Sequence, residues 1–409
     1  MKRILILGAG EYQVPLIESA KKMGLFTIVV SPTGGYPGLN ITDKAYFFDV
    51  RDKNKILEIA KKEVIDGVTT DQTDIAVSTV AYIAEKLNLA GIGFQVSKLF
   101  TDKYLMREKC KSAGIPTLKY TLVDTVREAE NFCSVAGYPV VLKPVDNQGS
   151  RGVYKIHDNN ELEKYFDDSR HFSSNKKVLI EEFIDGLEYV ANSLTIDFKY
   201  QNLIIGDSSN FSFKNNFVPR QRLFPTIQPI ETRNKILELD KKVIKVFNLK
   251  NGITHAEYII DKKTKQVYLL EIAARGGGVY ISSDLIPLLT NLNSNTFLLK
   301  NALGEEFQYS IQNVSNIAVG YIAFYLPAGE VMSLSGIEEV DKLKEVIKHN
   351  LHSIKLNQQI ESLKNKTARK IILIKSSNRT ELDSIIERLK IIIKITVKTK
   401  DGMSGAIWD

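Results

Sequence analysis

Glu257 and Glu271 sit in apolar stretches on either side of the polar run Asp261-Lys262-Lys263-Thr264-Lys265, and residue 264 lies midway between them. Ile253–Ile260 and Gln266–Ala273 read as strands, which predicts a β-hairpin. In a symmetric hairpin the two acids are cross-strand neighbours, with Cβ atoms ~4.5–5.5 Å apart. Like charges so placed repel unless a cation lies between them. Mg²⁺ suits such a site, because it binds through one or two carboxylates and completes its shell with phosphate and water; Mn²⁺ takes the same oxygen donors. The alternative is a slipped register that turns one acid into water. Ala273-Ala274-Arg275-Gly276-Gly277-Gly278 follows. An arginine beside three glycines can reach a transferring phosphoryl group or a substrate carboxylate; a glycine turn with a surface arginine has the same sequence.

A second set lies upstream. Val140–Lys143 predicts a strand that delivers Lys143 beside Asp146-Asn147-Gln148-Gly149-Ser150-Arg151-Gly152. Backbone N–H groups of such a loop can form an anion-binding nest, to which the lysine adds a point charge. The loop lacks the Gly-Lys-Ser/Thr ending of a Walker loop, and a plain hairpin turn is the competing reading. Near the start, Gly8-Ala9-Gly10 follows an apolar strand, as in a dinucleotide fingerprint. However, Gln13 occupies the third glycine's place, and the second strand ends Val29-Val30-Ser31-Pro32 without an acid. Both departures argue against NAD. Gly10 remains able to approach a substrate.

The elements that position these residues change along the chain. The first third alternates strand and helix: strands Arg3–Gly8, Thr27–Val30 and Gly67–Thr70, and helices Val14–Met23, Lys53–Glu63 and Ile75–Leu87. That order predicts a parallel wound sheet. A further helix, Lys98–Ala113, stops at Gly114 before Pro116. Beyond it come strands at Val140–Lys143, Val153–Ile156, Val178–Glu182, Tyr189–Ile196 and Leu203–Asp207, with helices Arg127–Ala136, Asn160–Asp168 and Glu231–Phe247. This is an α+β pattern with antiparallel pairing. From about Phe307 the chain reads as a small α+β appendage, with strands Ala318–Tyr325, Lys370–Lys375 and Ile393–Val397 and a helix at Glu381–Leu389.

Bulk properties bound the function. A chain of 409 residues implies two or three packed units. Apolar residues make up 44% and charged residues 25%, an ordinary globular composition. No apolar stretch approaches the ~18 residues that cross a membrane, and the short run Ile4–Leu7 is no signal peptide, so a cytoplasmic protein is expected. The net charge is +7, but basic and acidic residues interleave and aromatics do not cluster with the basic ones, which argues against nucleic acid. Cys110 and Cys133 form no disulfide or zinc framework and read as small buried hydrophobes.

In order and spacing these pieces resemble the ATP-grasp superfamily across nearly the whole chain. Thr101-Asp102-Lys103-Tyr104-Leu105-Met106-Arg107, then Ala113-Gly114-Ile115-Pro116-Thr117, looks like the entry to the grasp region. The resemblance implies an α/β protein with a Rossmann-like N-terminal domain at 1–115, an ATP-grasp region of two subdomains at 116–305 and a C-terminal α+β part at 306–409. It implies ATP and Mg²⁺ (or Mn²⁺) as cofactors. Lys103 and Lys143 match the family's phosphate-contacting lysines, and Gln148, Gly149, Ser150 and Gly152 lie in a segment similar to its closing loop. Glu181-Glu182-Phe183-Ile184-Asp185-Gly186-Leu187-Glu188 resembles the adenine hinge, with Glu181 and the backbone of Glu182 and Ile184 toward adenine and Glu188 on the ribose. Glu257 and Glu271 match the metal ligands, and Arg275 matches the arginine near the transferring phosphoryl group. Ala273 stands where many members carry an asparagine ligand. His255 reads either as a group behind the metal ligands or as a satisfied core histidine. Arg220 and Arg222, together with Gly10 and Gly277, are candidate substrate contacts.

The implied activity is a carboxylate–amine ligase that forms an acyl phosphate on small-molecule substrates, a homodimer by analogy with relatives. Two readings compete with it: a purine-pathway ligase acting on a ribonucleotide, and a nucleotide-binding protein without catalysis. An intact Lys143, Glu257 and Glu271 argue against the last.

Overall fold

The computed structural model describes residues 1–213, 215, 217–311, 316–361 and 368–409. The chain opens with β1 (Arg3–Leu7), α1 (Val14–Lys22), β2 (Phe26–Ser31), β3 (Lys44–Phe47), α2 (Lys53–Glu63), β4 (Gly67–Thr69) and α3 (Val77–Lys86). The four strands are parallel, in the order β3-β2-β1-β4. Both faces of β1 are buried, which is why Ile4-Leu5-Ile6-Leu7 is continuously apolar. The order reverses between β1 and β4, so the loops after these strands, 8–13 and 70–74, flank the switch point.

The helix expected over Lys98–Ala113 is two helices, α4 (Phe94–Leu99) and α5 (Lys103–Ser112). Asp102 breaks it: its backbone is extended, and its carboxylate accepts the Leu105 N–H at 2.9 Å as an N-cap. Lys103 thereby becomes the first residue of a helix instead of its middle.

Next come β5 (Tyr120–Val123), α6 (Val126–Ala136), β6 (Val140–Pro144), β7 (Tyr154–Ile156), α7 (Asn159–His171) and β8 (Val178–Glu182). The strands form an antiparallel sheet ordered β5-β8-β6-β7. It is closed beneath by a small core in which Cys133 and Phe166 from the two helices meet Val140, Leu142 and Ile180.

The third unit holds β9 (Gly186–Ile196), β10 (Lys199–Asn210), β11 (Pro219–Phe224), α8 (Ile230–Val246), β12 (Gly252–Asp261) and β13 (Val267–Ala273). A turn and two helices, α9 (Ile286–Thr290) and α10 (Ser294–Ala302), lead on to β14 (Ala318–Phe324), β15 (Gly329–Ser335), α11 (Ile337–Asp341), β16 (Val346–His349), β17 (Gln359–Ile360), β18 (Lys370–Ser376), α12 (Arg379–Ile392), β19 (Lys394–Thr399) and β20 (Gly402–Ser404). One eight-stranded sheet runs β13-β12-β9-β10-β11-β14-β18-β16. The C-terminal part is therefore more than an appendage. Its strands β14, β18 and β16 continue the sheet that carries the Glu257–Glu271 hairpin, and only β15, β17, β19 and β20 make a sheet of their own.

One core joins the ends of the chain. Ile4, Ile6, Leu16 and Ile17 of the wound sheet and its helix pack in the same cluster as Val190, Leu194, Phe224, Leu285, Phe297 and Tyr321. Among the described residues, no helix is long and apolar enough to cross a membrane.

Candidate active site

The hairpin register places the two acids opposite one another: Glu257 pairs with Glu271, and His255 with Ala273. A bulge follows, since Tyr258 pairs with Leu269 and leaves Leu270 over. The Leu270 carbonyl is caught by Arg107 Nη2 at 2.7 Å. Both glutamates line one cavity, with side chains about one-third exposed (30% and 34%). Each faces a base: Lys103 Nζ lies 2.8 Å from Glu271 Oε1, and Arg222 Nη2 donates to Glu257 Oε1. Burial works against the Lys103 ammonium, but the Glu271 carboxylate outweighs it and holds the lysine above its ordinary range. Paired carboxylates with cations drawn onto them are the donor set a divalent ion would take.

Lys143 projects from β6 and Glu181 from β8, both buried. Glu181 forms ion pairs with Arg107 Nε at 2.6 Å and with Lys143 Nζ. Burial favours its neutral form, but Arg107 and Lys143 prevail and hold it down at about 2. Burial chiefly, with Arg107 adding to it, lowers Lys143 from its usual range. Glu181, expected to face adenine, thus acts in this structure as the anchor of Lys143, although it still lines the cavity. Phe183, Ile184 and Glu188 line its other end. The Glu182 and Phe183 amides donate to the Lys119 and Pro139 carbonyls, at 3.0 and 3.3 Å. Glu188 accepts from Asn210 Nδ2 at 2.9 Å.

Arg275 reaches the cavity from the turn after β13. Its Nε lies 2.6 Å from Asp74 Oδ1, and its Nη1 donates to the Gly276 carbonyl at 2.7 Å. Asp74 belongs to the loop after β4, which grips its surroundings throughout. Asp71 accepts the Gly276 N–H at 2.9 Å, Gln72 accepts the Tyr280 N–H at 2.9 Å, and the Asp74 N–H donates to Gln148 Oε1 at 2.6 Å. Gln13, the residue in place of a third glycine, supports this loop through the Asp71 carbonyl at 2.8 Å.

The cavity thus gathers Lys103, Lys143, Gly149, Ser150, Glu181, Glu182, Phe183, Ile184, Glu188, Glu257, Glu271 and Arg275 from the expected set. The others lie elsewhere. Gln148 and Gly10 line a second cavity of about 680 Å³, at the carboxyl edge of the wound sheet. Gly152 packs on α7, where a Cβ would meet the Phe172 ring at 2.9 Å. Gly277 abuts Asn192 and Ile281. Arg220 pairs with Asp409 at 2.9 Å. Arg222 is buried behind Glu257, with Nη1 2.5 Å from His255 Nε2. Burial brings His255 down to about 4. The ring is therefore neutral, and an arginine donating to Nε2 leaves its proton on Nδ1 for Asn192 Oδ1, 2.8 Å away. His255 is both a satisfied core histidine and part of the support of Glu257.

Sequence reading missed Asp74, Arg107 and Asn210. A signal existed for Asp74: Thr70-Asp71-Gln72-Thr73-Asp74 is a polar run at the end of a buried parallel strand, beside a switch point. None existed for Arg107, whose partners come from β8 and a bulge.

Residues 136–284 match the family described as the ATP-grasp domain. The L-arginine-specific L-amino acid ligase of Bacillus subtilis is 25% identical over 310 residues, 73% of this chain and 72% of that protein. The formate-dependent phosphoribosylglycinamide formyltransferase of Methanocella arvoryzae is 25% identical over 190 residues, 45% of this chain. The match spans only 43% of that relative's length. The crystal structure of the L-amino acid ligase from Bacillus licheniformis shares the fold, with a TM-score of 0.83, 23% identity, and coverage of 98% of this chain and 99% of that one.

Proposed function

We propose, because this chain belongs to the ATP-grasp superfamily, that it is an ATP-dependent carboxylate–amine ligase that releases ADP and phosphate. The reading rests on the convergence of Lys103, Lys143, Glu257, Glu271 and Arg275 on one cavity. Adenine would lie at the hinge against the Glu182 carbonyl and the Ile184 N–H, and the ribose at Glu188. Lys103, Lys143 and the amides of Gly149 and Ser150 would hold the phosphates. Gln148 and Gly152 would act on that loop from outside the cavity. Glu257 and Glu271 would hold Mg²⁺ or Mn²⁺, which offsets phosphate charge when bound.

A substrate carboxylate oxygen attacks the γ-phosphorus, the bond to the β–γ bridging oxygen breaks, and ADP leaves. Arg275 faces the transferring group and the acyl phosphate formed. The amine nitrogen then attacks the acyl carbon, the C–O bond to phosphate breaks, and the amine's proton passes to solvent or to the leaving phosphate. Loop 146–152 excludes water from the acyl phosphate meanwhile.

We assign the division 1–115, 116–305 and 306–409, a cytoplasmic location and a homodimer to the same reading; light scattering tests the last. A second reading, a ribonucleotide ligase, is favoured by Arg51, Arg151, His171 and Lys176 around the second cavity. One assay separates them: ADP and phosphate release from ATP·Mg²⁺ with amino acids, small carboxylates or purine-pathway ribonucleotides. Release that needs both an acid and an amine, and is lost in Glu271→Gln, is expected. Release that needs a ribonucleotide would select the second reading.

A further inference from the structure

Asp74 is out of place in a cavity for a polyanion. Its side chain is 18% exposed and lines the same cavity as Lys103, Glu271 and Arg275. Arg275 engages only Oδ1, through Nε and Nη2, both at 2.6 Å. Oδ2 accepts no hydrogen bond among the described residues, and its backbone N–H is held by Gln148 at 2.6 Å. A rigidly placed carboxylate oxygen facing phosphates is unfavourable unless a cation meets it. Lys103 and Lys143 already have carboxylate partners in Glu271 and Glu181. Arg275 meets Oδ1 alone, so the cation for Oδ2 is to be brought in.

On the ligase reading, we propose that Asp74 Oδ2 accepts the ammonium of the substrate whose carboxylate is activated, so that this substrate is a free α-amino acid. The Asp74–Arg275 pair is the charge complement of a zwitterion. The guanidinium edge left by Asp74 faces the carboxylate and, after transfer, the acyl phosphate. The free oxygen of Asp74 faces the ammonium. Because the two side chains are bonded, the anion and cation subsites are fixed one short side chain apart, the scale of the two charges on an α-amino acid. A phosphate-bearing or simple carboxylate substrate would leave Oδ2 unmet.

The test compares each of the twenty amino acids with its des-amino and N-acetyl counterparts, all with ATP·Mg²⁺ and pooled amino acid amides as amines, following ADP. Wild-type enzyme should prefer free amino acids by roughly 10-fold or more, the worth of a charge-assisted hydrogen bond. Asp74→Asn should collapse that ratio while leaving ADP·Mg²⁺ binding in place, which shows that it is folded. Asp74→Glu should keep part of the preference. Calorimetry of alanine against propionate, with a non-hydrolysable ATP analogue bound, gives the same comparison without turnover. Equal use of the des-amino acids overturns the proposal and leaves the ligase reading standing. So does an unchanged ratio in Asp74→Asn with a raised Mg²⁺ requirement, which would make Asp74 a metal ligand in the place Ala273 leaves. Absence of release with every carboxylate overturns both.

Discussion

Asp71 carries the clearest pH signature. It is fully buried, and burial pushes its carboxyl up to about 6. A folded pKa above the unfolded one means that its contribution is complete below about pH 4 and is lost as pH rises through about 6. The two-unit gap corresponds to ~3 kcal/mol. Asp71→Asn keeps an oxygen for the Gly276 amide and removes the titration. Its stability relative to wild type, by urea unfolding, should therefore rise between pH 4 and 7; a constant difference would contradict this. Arg222 behaves differently. By sequence it is a candidate substrate contact, but it lies behind Glu257 and pairs with it. Arg222→Ala should cost ~1–3 kcal/mol, less than a fully buried pair would, because the Glu257 side chain is 30% exposed. It should also raise the Mg²⁺ concentration needed for half-maximal activity, without a matching change in substrate KM. The milder Arg222→Lys should retain folding and show the metal effect alone.

Among the elements, the hairpin was the most legible, because two acids in apolar strands around a five-residue polar turn fix their own register. The bulge at Leu270 was not, since nothing local marks it; it is set by Arg107, which arrives from α5. The same limit hid the break before α5. Helical periodicity runs through residues 98–113, and only the capping contact of Asp102 divides it. Asp102→Ala should cost ~1 kcal/mol of stability. Because Lys103 begins the helix that this cap fixes, the KM for ATP should rise as well, while Asp102→Asn should restore both. Among the strands that the sequence did not show, β3 and β5 are four residues each and largely unburied, so pairing rather than pattern defines them.

At the scale of the molecule, two distant stretches of chain, the loop after β4 and the turn after β13, meet at Gly276. A Cβ there would lie 2.0 Å from Ser282 Oγ and 2.6 Å from Asp71 Oδ1. Gly276→Ala should therefore separate the loop after β4 from the turn after β13. The expected result is a loss of stability in thermal unfolding and a fall in activity larger than that loss explains, because Arg275 and Asp74 lose their common anchor. ADP·Mg²⁺ should stabilise the wild type by ~2.7 kcal/mol at a hundredfold excess over its Kd. In the variant the same ligand concentration should deliver less, since binding must first restore the site and the Kd rises accordingly. This convergence was only half visible in the sequence: the motifs after residue 100 were legible by order and spacing, whereas the grip of residues 70–74 on them is purely tertiary.

The segment from Asn147 to Gln148 borders both cavities, Asn147 lining the two and Gln148 tied to Thr73 and Asp74. A partition common to two compartments has no private motion. Whatever displacement one occupant needs is imposed on the other, so the two occupancies carry a mutual free energy with a single sign and size.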